Sequence, residues 1–197
     1  MKIQLNDVRL SFANALFEAQ QVQGQGEKKF SASFLFPPSH PGAAAIKEGF
    51  KKIATEKWGA KAAETFAALK AGDKLCLHDG DAKPAYEGYK GMLFVNASNK
   101  IKPLVIDGNK SPLDASSGKP YSGCYVNAVI ELWPQDNRYG KRINASLLGV
   151  QFLRDGARLS GGGVASADDF QAIPDAGGGD APAAAGAAGA GSNDPFA

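Results

Sequence analysis

The sequence predicts a mainly β domain in which antiparallel strands form a small barrel interrupted by one helical insertion. Two observations support this fold class. About seven short segments alternate apolar and polar residues, which is the period of half-buried strands, and the main stretch with helical spacing lies between the early strands. Strands and helices do not alternate as they do in a parallel α/β sheet. An OB-fold-like antiparallel β-barrel fits this order best.

The first two predicted strands cover residues 2–12 and 29–36. In the first, apolar residues up to Phe12 recur at every second position, with an irregularity near Asn6 and Asp7. The second ends at Pro37 and Pro38, which cannot donate ladder hydrogen bonds. The glutamine-rich residues between them predict a hairpin loop. An edge position for residues 2–12 would allow pairing across a two-fold axis, so a homodimer is one expectation.

Helical spacing replaces the strand period after the two prolines. Apolar residues from Ile46 to Trp58 share one helical face, with Ser39 as the expected cap and Gly59 as the stop. Residues 61–70 predict a second helical piece. Strands are predicted again over residues 74–78, 90–98, 103–106, 123–133 and 142–154.

Alternation predicts which side chains of two later strands face the core. In residues 90–98, Leu93, Val95 and Ala97 point inward, whereas Phe94 lies on the opposite, basic face. The inward side chains of residues 123–133 are Cys124, Val126, Ala128, Ile130 and Leu132. Tyr125 and Trp133 of that strand then point outward.

Charge is divided unevenly along the 197 residues. All 22 lysines and arginines lie in residues 1–160 together with 15 of the 20 acidic residues, so this part carries a net charge of +7. Residues 161–197 hold five aspartates and no cation, hence −5, and 21 of these 37 residues are Gly or Ala. Such a composition buries too little to order itself. We expect a folded domain over residues 1–158 and a disordered acidic tail over residues 159–197.

Few residues suit catalysis or metal binding. The two cysteines form no C-x-x-C pair, and a phosphate-binding glycine motif is missing. His40 lies between prolines, and His78, Asp79 and Asp81 form the one compact acid/base cluster, although Asp-Gly-Asp is first a turn sequence. The sequence predicts no catalytic residue, no metal, no cofactor and no enzyme. A nucleic-acid enzyme with a metal at the His78 cluster is the alternative of that class.

Aromatic residues interleaved with cations suggest a nucleic-acid surface. A groove for single-stranded DNA needs positive charge beside the phosphates and flat side chains on which bases stack. The candidate single-stranded DNA contacts are Lys83, Tyr86, Tyr89, Lys90, Phe94, Lys100, Lys102, Tyr125, Arg138, Tyr139, Lys141 and Arg142.

The end of the chain resembles the C-terminal tip of bacterial-type single-stranded DNA-binding proteins. Asp194, Pro195 and Phe196 match the acidic Pro-Phe core of that tip, which in those proteins docks on partner enzymes. The match departs from the pattern because one acid directly precedes Pro195 and Ala197 follows the phenylalanine. The resemblance implies replication or recombination proteins as partners of the tail.

Segments of the body are similar to the phage-encoded OB-fold single-stranded DNA-binding proteins. These segments are VRLSF at 8–12, KFSASFL at 29–35, GMLFVNASNK at 91–100, YSGCYVNAVI at 121–130 and GVQFLRDG at 149–156. The resemblance implies an OB fold that binds and protects single strands without sequence preference in phage DNA replication, recombination or repair.

Two matters stay open at this point. A β-barrel adaptor of a virion or replisome, which binds proteins rather than nucleic acid, would also carry an aromatic face and an acidic tail. Preference for DNA over RNA depends on reading the 2′-hydroxyl, which the sequence does not disclose.

Since neither a signal peptide nor a membrane span is recognisable, we expect a cytoplasmic protein, in a bacterial host if phage-encoded, with no membrane partner.

Overall fold

The computed structural model describes residues 1–22 and 25–159. Residues 160–197 of the expected tail, with its tip of Asp194, Pro195 and Phe196, lie outside these residues. The strands of the described ranges are β1 (Lys2–Ser11), β2 (Gln20–Val22), β3 (Gln25–Phe36), β4 (Leu77–Asp79), β5 (Leu93–Asn99), β6 (Leu104–Ile106), β7 (Tyr125–Asn137) and β8 (Gly140–Arg154). The helices are α1 (Pro41–Trp58) and α2 (Ala62–Ala71), and four short 3₁₀ turns complete the elements. The mainly β fold class with a helical insertion after β3 is confirmed.

The strands form one sheet in the order β4-β5-β3-β1-β7-β8-β6, with β2 paired to β3. The two sides of the sheet approach each other where Asn99 Nδ2 donates to the Leu147 carbonyl at 3.1 Å and where Leu75 bridges Ile143. These contacts are isolated, so the sheet curls like a barrel without being closed by a continuous ladder. The longest pairing is the antiparallel β7–β8 hairpin, which runs from Tyr125 opposite Arg154 to Asn137 opposite Gly140.

Four expectations were wrong in detail. Strand β1 is not an edge strand, because it pairs with β7 along most of its length and with β3 near its end. The strand order therefore gives no support to a homodimer formed through β1 as an edge strand. Strand β6 runs parallel to β8, so the sheet is not wholly antiparallel. Residues 20–29 are not simply a loop, since β2 pairs with β3 there. Helix α1 is capped by His40 rather than Ser39.

The cap explains His40 without any catalytic role. Its Nδ1 accepts a hydrogen bond from the Gly42 backbone amide at 3.0 Å, and its Nε2 lies 2.8 Å from the Asn6 carbonyl oxygen. A side chain that accepts from the second helical amide satisfies one of the free donors of a helix N-terminus. His40 thus ties α1 to β1.

Alternating side chains of the strands build the core as the period predicts. Cys124, directly before β7, is buried, and so are Val126, Ala128, Ile130 and Leu132 of β7. They pack with Ala32, Phe34 and Phe36 of β3 and with Ile46, Phe50 and Ile53 of α1. Burial of side chains of this size is the main favourable term in folding. Neither α1 nor α2, the helices of the described ranges, meets the length and hydropathy that a membrane span requires.

Candidate nucleic-acid interface

A groove of about 730 Å³ crosses the outer face of the sheet. Its floor consists of the polar side chains that alternate with core residues on β3 and β5, namely Ser31, Ser33, Asn96 and Ser98. The β7–β8 hairpin supplies one wall through Trp133, Gln135, Arg142 and Asn144, and Lys74 and Phe12 line it elsewhere. The groove therefore joins residues that are far apart in the sequence.

The charge of the groove is positive. Lys29, Lys74, Lys100 and Arg142 line it, and no aspartate or glutamate is among its lining residues in the described part of the chain. Lys100 is held at the rim, where its Nζ lies 2.5 Å from Glu27 Oε2. That hydrogen bond is the main cause that lowers the pKa of Glu27. Four cations without an acid in the lining suit a polyanion.

Two exposed aromatic residues stand at the margins of the groove. Trp133 of β7 is 40% exposed on the hairpin wall. Phe12, at the end of β1, is 47% exposed although the strand period predicts an inward side chain. Its backbone has φ +60°, the left-handed region that non-glycine residues rarely adopt, and this conformation turns the ring outward. Strain of this kind is found preferentially at functional positions.

The segment from Gly80 to Met92 folds back over the sheet beside the groove. The Gly80 amide donates to the Met92 carbonyl at 2.7 Å, and Asp81 Oδ1 accepts from the Gly91 amide at 2.8 Å. The segment brings Tyr89 onto Leu35 and Phe94, and these three residues, the outer cluster, are buried together. We call the segment of residues 80–92 the covering loop.

The covering loop overturns the predicted exposure of two candidate residues. Phe94 does lie on the outer face of β5, but it is 4% exposed because Tyr89 and the His78 ring cover it. Tyr89 itself is 2% exposed, and burial is the main cause that raises its pKa. In this conformation neither ring offers a face to a base. Tyr86, in contrast, is 44% exposed and meets Phe12 edge to face, with ring centroids 5.7 Å apart.

The other predicted contacts divide among three places. Lys100 and Arg142 line the groove, whereas Lys83, Lys90 and Lys102 are exposed outside its lining. Arg138, Tyr139 and Lys141 lie at the tip of the β7–β8 hairpin, where Arg138 stacks on the 73% exposed Tyr139. Tyr125 is half-buried at the opposite end of β7 beneath the Arg154 guanidinium, 3.5 Å from its ring centroid.

Sequence reasoning missed several groove residues. The sequence contained a clue to Trp133, because strand alternation predicts that its side chain points outward. Lys29 also occupies an outward position, since it alternates with the buried residues of β3. The local sequence contains no clue to Lys74, because a long-range contact holds it beside the groove: its carbonyl accepts a hydrogen bond from the Ile143 amide at 3.1 Å. Phe12 was predicted to face the core, so the sequence pointed the wrong way.

The His78 cluster is a turn. Asp79 Oδ1 accepts from the Asp81 amide at 3.0 Å, and His78 Nδ1 lies 2.8 Å from Asp73 Oδ1. Among the described residues, no three His, Cys, Asp or Glu side chains come together as metal ligands would.

Comparison with known proteins identifies similar chains over most of the length. The family model described as Enterobacter phage Enc34, ssDNA-binding protein, matches residues 1–180. Protein p50 of Acyrthosiphon pisum secondary endosymbiont phage 1 is 52% identical over 173 residues, which are 86% of this chain and 92% of that protein.

Two solved structures are also similar. The single-stranded DNA-binding protein from bacteriophage Enc34 in complex with ssDNA is 31% identical, with a TM-score of 0.67 over 80% of this chain and 88% of that one. A second structure of the Enc34 protein is 30% identical, with a TM-score of 0.65 over 86% of this chain and 90% of that one.

Proposed function

The chain belongs to the family of the Enterobacter phage Enc34 single-stranded DNA-binding protein, and from this membership we propose that it binds single-stranded DNA in the groove across β3, β5 and β8. The observation that supports the groove most directly is its lining of four cations without a carboxylate. Such a lining neutralises phosphates and releases counterions, which is the main source of sequence-independent affinity.

Base stacking supplies the second part of the mechanism. Trp133 and Phe12 present exposed rings at the groove margins, and Tyr86 extends the Phe12 side. Because every base has an aromatic face, stacking tolerates any sequence. The serine and asparagine side chains of the floor offer small hydrogen-bonding groups between the rings. The protein thus coats and protects single strands during phage DNA replication, recombination or repair.

Competition binding tests this function. We expect a labelled oligo-dT to bind, unlabelled single strands to compete, and duplex DNA to compete poorly, with affinity that falls linearly in a plot of log K against log salt. Trp133→Ala should cost about 1–3 kcal/mol of binding free energy, the usual value of one stacked base. Equal competition by duplex, or failure of the unmodified protein to bind oligo-dT, would contradict the proposal.

Charge variants test the groove itself. Lys74→Ala combined with Arg142→Ala should lower the slope of the salt plot by about 1.4, the value for two phosphate contacts on single strands. Lys100 is not chosen, because Glu27 already balances its charge. Lys51→Ala combined with Lys52→Ala is the matched control, because it also removes two charges, both lysines are exposed on α1, and neither is a groove residue. Its slope should equal that of the unmodified protein. An equal decrease in the control would mean that overall charge, not the groove, determines binding.

The tail and the oligomeric state stay predictions. We propose that Asp194, Pro195 and Phe196 bind replication or recombination proteins, on the basis of their resemblance to the bacterial tip. Capture of such proteins by the full chain, lost in a Phe196→Ala variant that still binds oligo-dT, is the expected result. The homodimer likewise stays a proposal, and sedimentation of the full chain with and without oligo-dT tests it.

A further inference from the structure

Three cations are stacked on three aromatic rings at the end of the sheet opposite the hairpin tip. Arg154 lies over Tyr125 at 3.5 Å, Arg158 over Tyr121 at 4.3 Å and Lys119 over Phe152 at 4.5 Å from the ring centroids. These six residues form what we call the stacked-cation surface. Arg154 and Arg158 are exposed, and both tyrosines are half-buried. None of the six lines the groove.

The stacked-cation surface is connected to the groove through Phe12. The next residue, Ala13, donates its amide hydrogen to Ser122 Oγ at 3.0 Å, and Ser122 directly follows Tyr121. The Ser122 carbonyl accepts from the Leu159 amide at 3.0 Å, which holds the segment that carries Arg158. Phe12, at the groove margin, is therefore linked through Ala13 and Ser122 to the segments that carry Tyr121 and Arg158.

The geometry of the stacked-cation surface is fixed by its own hydrogen bonds. Tyr121 donates its hydroxyl hydrogen to Asp155 Oδ1 at 2.9 Å, and Lys119 Nζ lies 3.1 Å from the other oxygen of that carboxylate. The Lys119 hydrogen bond is the main cause that lowers the pKa of Asp155. Arg154 is similarly oriented by Asp7 at 2.9 Å. Side chains held in this way lose little conformational entropy when a ligand binds.

The charge of this region is positive even after these ion pairs are counted. Arg9 lies beside the stacked residues, and its guanidinium donates to the Gly123 and Ala157 carbonyls, which are uncharged acceptors. Of the four cations Arg9, Lys119, Arg154 and Arg158, Lys119 pairs with Asp155 and Arg154 pairs with Asp7. A guanidinium plane that already rests on an aromatic ring can stack on a base, and its N–H groups can donate hydrogen bonds to a phosphate.

We propose that the stacked-cation surface is a second binding segment for the same DNA strand, occupied by the nucleotides that leave the groove past Phe12. This inference rests on the proposed function of the groove and extends it. The contact is then divided into a groove segment, which any short strand fills, and an outer segment, which requires a longer one. Affinity should consequently increase with strand length beyond what the groove alone accommodates.

Two oligonucleotide lengths separate the segments. An oligo-dT of about 6 nucleotides is near the lower limit of site sizes for a single OB fold, and one of about 20 nucleotides exceeds the upper limit. Arg154→Gln combined with Arg158→Gln should weaken the long strand about tenfold and the short strand less than twofold. Trp133→Ala should weaken both, and Lys51→Ala combined with Lys52→Ala, which removes two charges from α1, should change neither.

Each outcome decides the proposal. Equal weakening of both lengths by the double variant, or unchanged binding of both, would overturn it, and the second result would leave an acidic peptide as the occupant that charge complementarity allows. Failure of the unmodified protein to bind either oligo-dT would instead contradict the proposed DNA-binding function of the groove. If the double variant melts early, Arg158→Gln alone serves, because Arg158 lies outside every strand and is exposed. It should weaken the long strand about threefold and leave the short one unchanged.

Discussion

Trp58, the last residue of α1, donates its indole hydrogen to Asp136 Oδ2 on β7 at 2.9 Å. Lys141 of β8 lies over the same ring, with its Nζ 5.9 Å from the centroid. These two contacts fasten the end of the helix to the β7–β8 hairpin. Since that hairpin also carries Trp133 and Arg142, the helical insertion determines where one wall of the groove stands.

Trp58→Phe should therefore affect DNA binding more than stability. The phenyl ring still packs on the core, and the lost hydrogen bond is exposed, so the free energy of unfolding should decrease by about 1 kcal/mol or less. A less constrained hairpin should weaken oligo-dT binding two- to fivefold, about 0.4–1 kcal/mol, measured by fluorescence anisotropy. Asp136→Asn retains an acceptor oxygen and is the control. Trp58→Phe also leaves Trp133 as the one tryptophan of the chain, so any quenching of tryptophan emission by DNA can be assigned to Trp133.

Phe94 should stabilise the fold and make no contact with bases. Phe94→Leu keeps an apolar side chain in the outer cluster, and we expect oligo-dT affinity equal to that of the unmodified protein. Phe94→Ala should lower the free energy of unfolding by about 3–5 kcal/mol, as removal of a buried aromatic ring does. Urea denaturation and anisotropy measure the two effects. A Phe94→Leu variant that melts normally but binds tenfold more weakly would restore Phe94 as a stacking residue.

Gly80 is a position of the covering loop where the backbone leaves no room for a side chain. A Cβ atom there would lie 2.0 Å from the Tyr89 carbonyl oxygen and 2.6 Å from that of Met92, and both are backbone atoms. Gly80→Ala should lower the free energy of unfolding by about 1–3 kcal/mol and increase hydrogen exchange in residues 80–92. Gly108→Ala is the control, since nothing lies within 4 Å of its Cβ. Equal stability of the two variants would show that the loop adapts.

Both cysteines should resist thiol reagents in the native protein. Burial raises the pKa of Cys76 to about 12, and burial is also the main cause that raises the pKa of Cys124. Because the thiolate is the reactive form, almost no reactive species exists near pH 8. Titration with a chromogenic disulfide should detect no rapidly reacting thiol before denaturant is added and two afterwards. Rapid reaction of the native protein would show that the sheet opens locally around β7 or residues 74–76.

The sequence predicted the elements whose apolar period is long and regular. The end of α1 at Trp58 follows from its apolar face and from Gly59, whereas its cap was assigned to the wrong residue. The inward side chains of β7 follow from periodicity alone, because a one-residue slip in a strand would move every side chain to the wrong face. Strand β2 was missed since its residues are mostly glutamine and show no period. The parallel pairing of β6 with β8 was missed because three residues carry no information about strand direction.

The candidate site was only partly predictable for a different reason. Lys100 and Arg142 were found because each lies in a cluster of cations and aromatics along the chain. Whether a residue of such a cluster is exposed depends on what folds over it, and for Phe94 this is a loop whose path is fixed by backbone hydrogen bonds. Lys74 joins the groove through a backbone contact with β8, which leaves no mark on the local sequence.

The left-handed backbone of Phe12 lowers the stability of the fold, whereas its exposed ring favours DNA binding. Glycine adopts this conformation without the steric cost that an aromatic residue bears, so Phe12→Gly relieves strain while it removes an exposed ring. Selection of variants for heat resistance alone would favour the substitution, whereas selection for retention of DNA would reject it. Position 12 is thus a site where engineering this protein for higher thermal stability would weaken its binding of single-stranded DNA.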